Sequence, residues 1–277
     1  MDDKLAWAAR VWRPPAEVRE LRGGYTSTML ALTADDGERA VLRLMTKQPW
    51  RRHAPGLLTR EASVQRQLHG SPVPAPRSLA VDLTGTPAHL MSWQPGRPRL
   101  DDAPVAPAAR MLAEIHRFDP GPDRPRAFQS WAPPAKRVVP PWTTRPALWE
   151  AAFAVLAAPA PAYEGVFLHR DYHLGNLLWE GDRISGVVDW VETSWGPAAL
   201  DVAHATTYLA MLHGVPAAER FARACGTAEV RYWSVMDVVG YLPDPVKVAQ
   251  PWRDAGVEIS DRTARRRLEE RLETVLG

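Results

Sequence analysis

Apolar residues in the first hundred positions come in short β-prone runs, and runs of that kind predict strands. Tyr25–Leu32 and Ala40–Met45 are two of them. Asp35-Asp36-Gly37 lies between, and an Asp-Gly pair flanked by such runs predicts a hairpin. The period then changes: Leu57, Leu58, Val64 and Leu68 recur at helical spacing, so Leu57–Leu68 predicts a helix. Ser71–Pro76 breaks it and predicts an extended connector. Ser78–Asp82 and Ala88–Trp93 predict two more strands about a turn at Thr84-Gly85, the second closed by Gln94-Pro95-Gly96.

Beyond residue 100 the pattern is mainly helical. Val105–Phe118 is amphipathic, with Met111, Leu112 and Ile115 facing inward. Asp119–Arg145 is rich in Pro and Trp without a period, which predicts a long ordered loop or a flexible flap. Pro146–Ala158 predicts a helix, and Val166–His169 and Ile184–Val188 predict short strands around the densest polar cluster of the chain. After Leu200 the residues are helical in pattern, ending in Arg262–Leu276, where Arg and Glu interleave as on a solvated surface helix. The whole predicts an α+β fold: a small β-rich part with one main helix over 1–93, and a larger, mostly helical part over 94–277.

Composition adds limits. A chain of 277 residues is long for one core and comfortable for two. With 45% hydrophobic and 24% charged residues it is an ordinary globular composition, not a disordered one. No apolar run is long enough to cross a bilayer, and MDDKLAWAAR lacks the apolar stretch of a signal peptide, so a cytoplasmic location and no membrane partner are expected. The single Cys225 excludes an internal disulfide and a cysteine metal cluster, and a buried, small, apolar role is expected for it. A net charge of +2 gives no argument for nucleic acid. The charge is uneven, with 15 basic and 9 acidic residues in 1–100 and 19 against 23 in the remainder. A polyanion held by the first part and a neutral or cationic compound by the second would suit that division.

The chemistry concentrates in Val166–Leu178, VFLHRDYHLGNLL. It holds His169-Arg170-Asp171, with Asn176 five residues after the Asp, and a further apolar strand leads to Asp189. This is H-R-D-x-x-x-x-N followed by a strand ending in Asp. A strand end presents Asp171 where its carboxylate can orient a hydroxyl nucleophile and accept its proton. Asn176 offers an amide oxygen and Asp189 a carboxylate to a hard cation such as magnesium. Asp and Asn are also common turn residues. The apolar strands ahead of both acidic positions weigh for the chemical role.

Leu168–Asp201, read as LHRDYHLGNLLW and then GVVDWVETSWGPAALDVAH, resembles the signature region of the aminoglycoside phosphotransferase family, small-molecule kinases that share the bilobal protein-kinase fold. The resemblance extends more loosely over nearly the whole chain. It implies that Asp171 is the catalytic residue, that Asn176 and Asp189 bind Mg2+, and that Asp201 and His169 support the catalytic loop. Leu21–Met29, LRGGYTSTM, is similar to the phosphate-covering turn, which implies phosphate contacts from Gly24 and Ser27. Glu61 matches the acidic partner of the phosphate-contacting strand residue. That residue is commonly Lys in kinases and is Arg43 here, in AVLRLM; Lys47, two residues past the strand, is an alternative for that role, with a surface residue the simpler reading. LMSWQPG resembles the hinge between lobes, near 92–96, and implies that backbone groups at Ser92, Trp93 and Gln94 meet the base of ATP or GTP, a core or interface aromatic being the other reading of the Trp93 ring.

The segment from Asp189 to Asp201 is about a dozen residues, too short for the activation loop of a protein kinase, so a small-molecule hydroxyl is the expected acceptor. Glu192, Trp195, Asp237 and Tyr241 are candidates to line its site; for each taken singly, ordinary packing or solvent exposure is the simpler account. An acidic lining would suit a polyamine-like antibiotic, and a Trp lining a more apolar hydroxyl compound. The alternatives are a metabolic kinase of an amino alcohol or sugar, and a nucleotide-binding protein that has lost catalysis. Oligomeric state leaves no mark in the sequence.

Overall fold

The computed structural model describes residues 1–21, 26–101, 104–226 and 229–277. In chain order its first elements are α1 (Asp2–Val11), β1 (Pro15–Leu21), β2 (Thr28–Ala34), β3 (Arg39–Leu44), α2 (Trp50–Gln67), β4 (Ser78–Asp82), β5 (Ala88–Ser92) and β6 (Arg97–Pro98). There follow α3 (Val105–Arg117), α4 (Pro146–Ala157), β7 (Gly165–Leu168), β8 (Leu177–Glu180), β9 (Arg183–Val187), β10 (Ser194–Pro197), α5 (Ala199–His213), α6 (Val215–Cys225), α7 (Arg231–Gly240), α8 (Val246–Asp254) and α9 (Asp261–Leu276). No helix of the described residues is long and apolar enough to cross a membrane.

The chain forms two compact units. One is Met1–Arg97 with Leu178–Thr193; the other is Pro98–Leu177 with Ser194–Gly277. The first is therefore discontinuous, taking in the β8–β9 hairpin from far along the chain.

In the first unit a sheet of order β1-β2-β3-β5-β4 has all of these neighbours antiparallel. The β2–β3 hairpin turns at Asp35-Asp36-Gly37 as its sequence predicts, with Gly37 at φ 84°, where a side chain is disfavoured. Strand periodicity of two then sorts the side chains. Leu30, Leu32, Leu42, Leu44 and Leu90 share one apolar cluster with Ala8, and α1 packs there. Arg43 and His89, register partners on β3 and β5, belong to the alternate positions. Helix α2 supplies the second cluster, Met45 with Ala54, Leu57 and Leu58, against which Val81 and Val191 pack. This helix starts seven residues before the predicted Leu57, because Pro55 and Gly56 disguise its first turns. Gly96 (φ 93°) allows the chain after β5 to pass the hairpin closely: a Cβ there would lie 2.4 Å from Ser185 Oγ and 2.7 Å from the Trp179 carbonyl oxygen.

The second unit is built around α5. Every residue from Ala199 to Leu212 is buried, which only a helix enclosed on all sides permits. Helices α6, α7 and α9 pack on it. The solvated surface role expected for the last helix is therefore corrected: Ala264, Leu268, Arg271 and Leu272 of α9 are buried. The Arg271 guanidinium is held inside by Glu229 and by Thr206 Oγ1 at 2.8 Å. The Pro- and Trp-rich segment 119–145 is an ordered loop rather than a flap. Lys136 Nζ donates to the Gly240 carbonyl at 2.6 Å, Arg137 to that of Leu156 at 2.9 Å, and Trp142 Nε1 to that of Pro243 at 2.8 Å.

Candidate active site

Within the first unit a charged cluster lies beneath β3 and β5. Arg43 is 5% exposed and Glu61 fully buried. One Arg43 nitrogen, Nη1, stands 3.4 Å from Glu61 Oε1 and 3.0 Å from Asp189 Oδ1. His89 Nδ1 donates to the other Glu61 oxygen at 2.9 Å, and Ser78 Oγ lies 3.0 Å from His89 Nε2. Burial alone would raise the Glu61 carboxyl, but the Arg43 charge and the His89 hydrogen bond outweigh it and lower the pKa. Asp189 follows β9 with φ 67°, a left-handed conformation uncommon outside glycine, which sets its carboxylate beside Arg43.

The remaining positions expected to meet nucleotide are placed as follows. Gly24 lies outside the described residues. Ser27 is buried with its hydroxyl 3.5 Å from the Met29 sulfur. Ser92 Oγ accepts the Arg77 N–H at 2.9 Å, and Gln94 Nε2 donates to the Ala75 carbonyl at 3.2 Å. The Trp93 ring lies under the Arg39 guanidinium, 3.5 Å from its centroid. A cavity of about 360 Å³ is bounded by these three, the end of α2 at Leu68 and the connector at Val73 and Ala75; Arg43 and Asp189 are not in its wall. Lys47 is exposed.

Within the second unit the loop after β7 carries the other group. Asp201, near the start of α5, accepts the backbone N–H of His169 at 2.9 Å and of Arg170 at 2.7 Å, and His116 Nε2 lies 3.1 Å from it. Burial alone would raise Asp201; the His116 hydrogen bond and the neighbouring positive charges lower it instead. His169 is fully buried and accepts the Asp171 N–H on Nδ1 at 3.2 Å. Arg170 adopts φ 73°, and its guanidinium stacks on Trp131 at 4.0 Å. The loop is thus gripped on either side of Asp171.

The Asp171 side chain keeps 29% of its surface exposed. Asn176 Nδ2 donates to its carbonyl at 2.9 Å and to Oδ2 at 3.1 Å, which fixes the amide and leaves Asn176 Oδ1 as its acceptor. His204 Nε2 lies 3.1 Å from Asp171 Oδ1, and His204 Nδ1 lies 3.0 Å from Asp237 Oδ1. Burial would lower His204, yet the two carboxylates overcome it and raise its pKa to about 10. His173, which stacks on Tyr208 at 4.3 Å, is driven the other way by burial, to about 4. Burial likewise favours a raised Asp171, but the two imidazoles hold it well below the usual carboxylate range. Near neutral pH His173 is uncharged, so His204 supplies that charge.

Among the candidate acceptor residues, Asp237 is buried against His204, and Tyr241 is buried with its ring stacked 6.2 Å from the same imidazole. Trp195 sits on β10, paired in register with Phe167, with the Arg124 guanidinium 4.5 Å from its ring. Glu192 is half-buried in the first unit. His204 and His89 were not singled out by the sequence. His204 falls one helical turn after Asp201, a spacing that puts the two on one side of α5 and could have flagged it. His89 was visible only as a polar residue within an apolar strand run.

Residues 17–238 match the model of a family described as phosphotransferase enzyme family. No curated protein matches the chain. Among solved structures, a thermostable mutant of aminoglycoside phosphotransferase APH(4)-Ia in ternary complex with AMP-PNP and hygromycin B is 16% identical over 100% of this chain and 98% of its own, with a TM-score of 0.69. Macrolide 2'-phosphotransferase MphH from Brachybacterium faecium is 18% identical, covering 95% of this chain and 97% of its own, at 0.62. Amicoumacin kinase hAmiN in complex with AMP-PNP, Ca2+ and Ami is 13% identical, covering 99% and 93%, also at 0.62. At these identities the likeness is one of fold: α+β, with a sheet-rich first part and a helical second.

Proposed function

The chain belongs to the phosphotransferase enzyme family, and on that premise we propose that it moves the γ-phosphoryl group of ATP or GTP onto a hydroxyl of a small molecule, an antibiotic being the leading class. The observation that carries this is Asp171, held at both carboxylate oxygens on a loop braced by Asp201. Asp171 orients the acceptor hydroxyl and takes its proton. The acceptor oxygen forms a bond to the γ-phosphorus as the bond to the bridging β–γ oxygen breaks, and the nucleoside diphosphate leaves. Residues 1–93 are assigned to nucleotide, 94–277 to catalysis and acceptor, with the hinge near 92–96. Arg43, positioned by Glu61, is assigned to the phosphates, with Gly24 and Ser27 covering them and Ser92, Trp93 and Gln94 at the base.

Asn176 and Asp189 are assigned to Mg2+. Their donors fit a hard cation, because the Asn176 amide nitrogen is engaged by Asp171 and both residues then offer oxygen. When bound, such an ion offsets phosphate charge. The nucleotide analogue and Ca2+ in the amicoumacin kinase support a nucleotide donor with a divalent metal. The relatives' substrates, an aminoglycoside complex and a macrolide kinase, support an antibiotic acceptor. Between those classes, the partnering of Asp237 with His204 removes one acidic contact that a polyamine would use, which favours a less cationic compound. Use of a nucleoside triphosphate fits a cytoplasmic location.

The test is release of nucleoside diphosphate, with ATP or GTP and magnesium, across aminoglycosides, macrolides, choline-like amines and sugars. Asp171→Asn should lower kcat by about 10²- to 10⁴-fold with little change in nucleotide affinity. Equal turnover in that variant removes Asp171 from the chemistry. Sugars or amines as the sole acceptors would make this a metabolic kinase, and no acceptor-dependent release would favour a nucleotide-binding protein without catalysis.

A further inference from the structure

Resting on the assignment of Asp171 as base, we infer that His204 is its positioning residue: an imidazole clamped between Asp171 and Asp237 that fixes the carboxylate toward the acceptor hydroxyl. The geometry is that of a ring with no free edge. Nε2 faces Asp171 Oδ1 at 3.1 Å and Nδ1 faces Asp237 Oδ1 at 3.0 Å. A neutral imidazole has one donor and one acceptor nitrogen, whereas an imidazolium has two donors. With both carboxylates ionised, only the charged ring satisfies both contacts.

The surroundings hold that ring in place. His204 is 5% exposed. Tyr241 stacks on it at 6.2 Å, Trp131 meets it edge-on at 5.1 Å and His173 lies tilted at 5.8 Å. Asp237 is itself 3% exposed, and its Oδ2 has no hydrogen-bond partner among the described residues. A buried carboxylate left half-satisfied is costly unless a charge faces it. The imidazolium is that charge at contact distance, with the Lys136 ammonium adding to it from further off.

Asp171 is then held at two points, by His204 on Oδ1 and by Asn176 on Oδ2. His204 gives up no proton during transfer. The hydroxyl proton passes to Asp171 and the ring stays charged. A metal reading of the same cluster is less suitable: Asp171, His173 and His204 lie close together, but His173 Nδ1 accepts the Gly175 N–H at 3.0 Å. Its Nε2 in turn faces the Asn176 amide nitrogen at 3.3 Å, so both edges of the His173 ring are already occupied.

Two measurements test the clamp. In nitrogen-15-labelled wild-type protein near pH 8, both ring nitrogens of His204 should carry protons, well above the range in which an ordinary His is charged. A ring with a single proton overturns the proposal, and this arm needs neither a variant nor an acceptor. In kinetics with the best acceptor of the panel, His204→Gln and Asp237→Asn should each lower kcat by about 10- to 100-fold while AMP-PNP affinity stays within about threefold. The double variant should match His204→Gln alone, because Asp237 acts through the ring. Wild-type kcat in His204→Gln beside an impaired Asp171→Asn overturns the clamp and leaves the base assignment standing. AMP-PNP affinity falling in step with kcat also overturns it, as a loss of structure. If Asp171→Asn turns over normally, it is the base assignment that fails.

Discussion

Arg43 divides one buried charge between Glu61 and Asp189. A guanidinium spreads five N–H donors over three nitrogens, enough for both carboxylates at Nη1 and for the phosphate proposed above, while an ammonium is a point charge on a shorter reach. Arg43→Lys should therefore raise the KM for ATP about 10- to 100-fold and leave the acceptor KM unchanged, since a lost charged hydrogen bond is worth about 1.5–3 kcal/mol. Steady-state kinetics with each substrate varied in turn measures it, and an unchanged KM for ATP would remove Arg43 from the phosphate site. At this scale the sequence was legible where partners are neighbours. Asp171 and Asn176 share one loop, so their spacing alone suggests them. His204 and Asp171 are 33 residues apart, and His89 and Glu61 are 28 apart. Such pairs exist only once strands and helices have packed.

Among the elements, those with a clean period were read correctly in kind. Helix α3 carries one, while the hairpin at Gly37, the strands β4 and β5 and helix α4 were legible from turn residues and short apolar runs instead. Others carry neither signal, and each for a physical reason. Strand β1 is an edge strand with Ala16 through Glu20 exposed, so neither face alternates, and its charged Glu17, Arg19 and Glu20 suit an edge that must not pair further. Strand β10 is four residues with Gly196 and Pro197. Helix α9 shows the converse, a charged sequence around a narrow apolar stripe that packs on α5. Leu268 of that stripe is fully buried, so Leu268→Ala should cost about 2–5 kcal/mol in a chemical denaturation curve. Loss of less than about 0.5 kcal/mol would mean the stripe is solvated after all.

For the molecule as a whole, the buried charges set opposite limits on stability. The carboxyls of Glu61, Asp201 and Asp82 are depressed, that of Asp82 to about 2 by Lys4. Depressed groups stabilise the fold above their unfolded values, here 3.8 and 4.5, and that contribution is lost as pH falls below them. His204 acts in the other sense. Its contribution is complete below its unfolded value of 6.5 and is lost as pH rises through about 10. A melting temperature recorded against pH should therefore peak between about 5 and 6.5, falling on both sides. In His204→Gln the alkaline decline should weaken and the acid one persist. An unaltered alkaline limb would show that the ring is neutral in the native state.

The discontinuous first unit also has a consequence during synthesis. A nascent chain that has emerged as far as Arg97 already holds every strand of the five-stranded sheet. It lacks Val191, which packs on the Met45–Leu58 cluster and whose carbonyl accepts from Arg60, and it lacks Asp189 beside Arg43. The sheet must wait, incomplete, while some eighty residues of the other unit leave the ribosome, a delay of several seconds at roughly 5–20 residues per second. A fragment ending at Arg97 should accordingly be sensitive to protease, and the complete chain resistant. A resistant fragment would mean that the sheet and its two helices fold to completion before the rest of the protein exists.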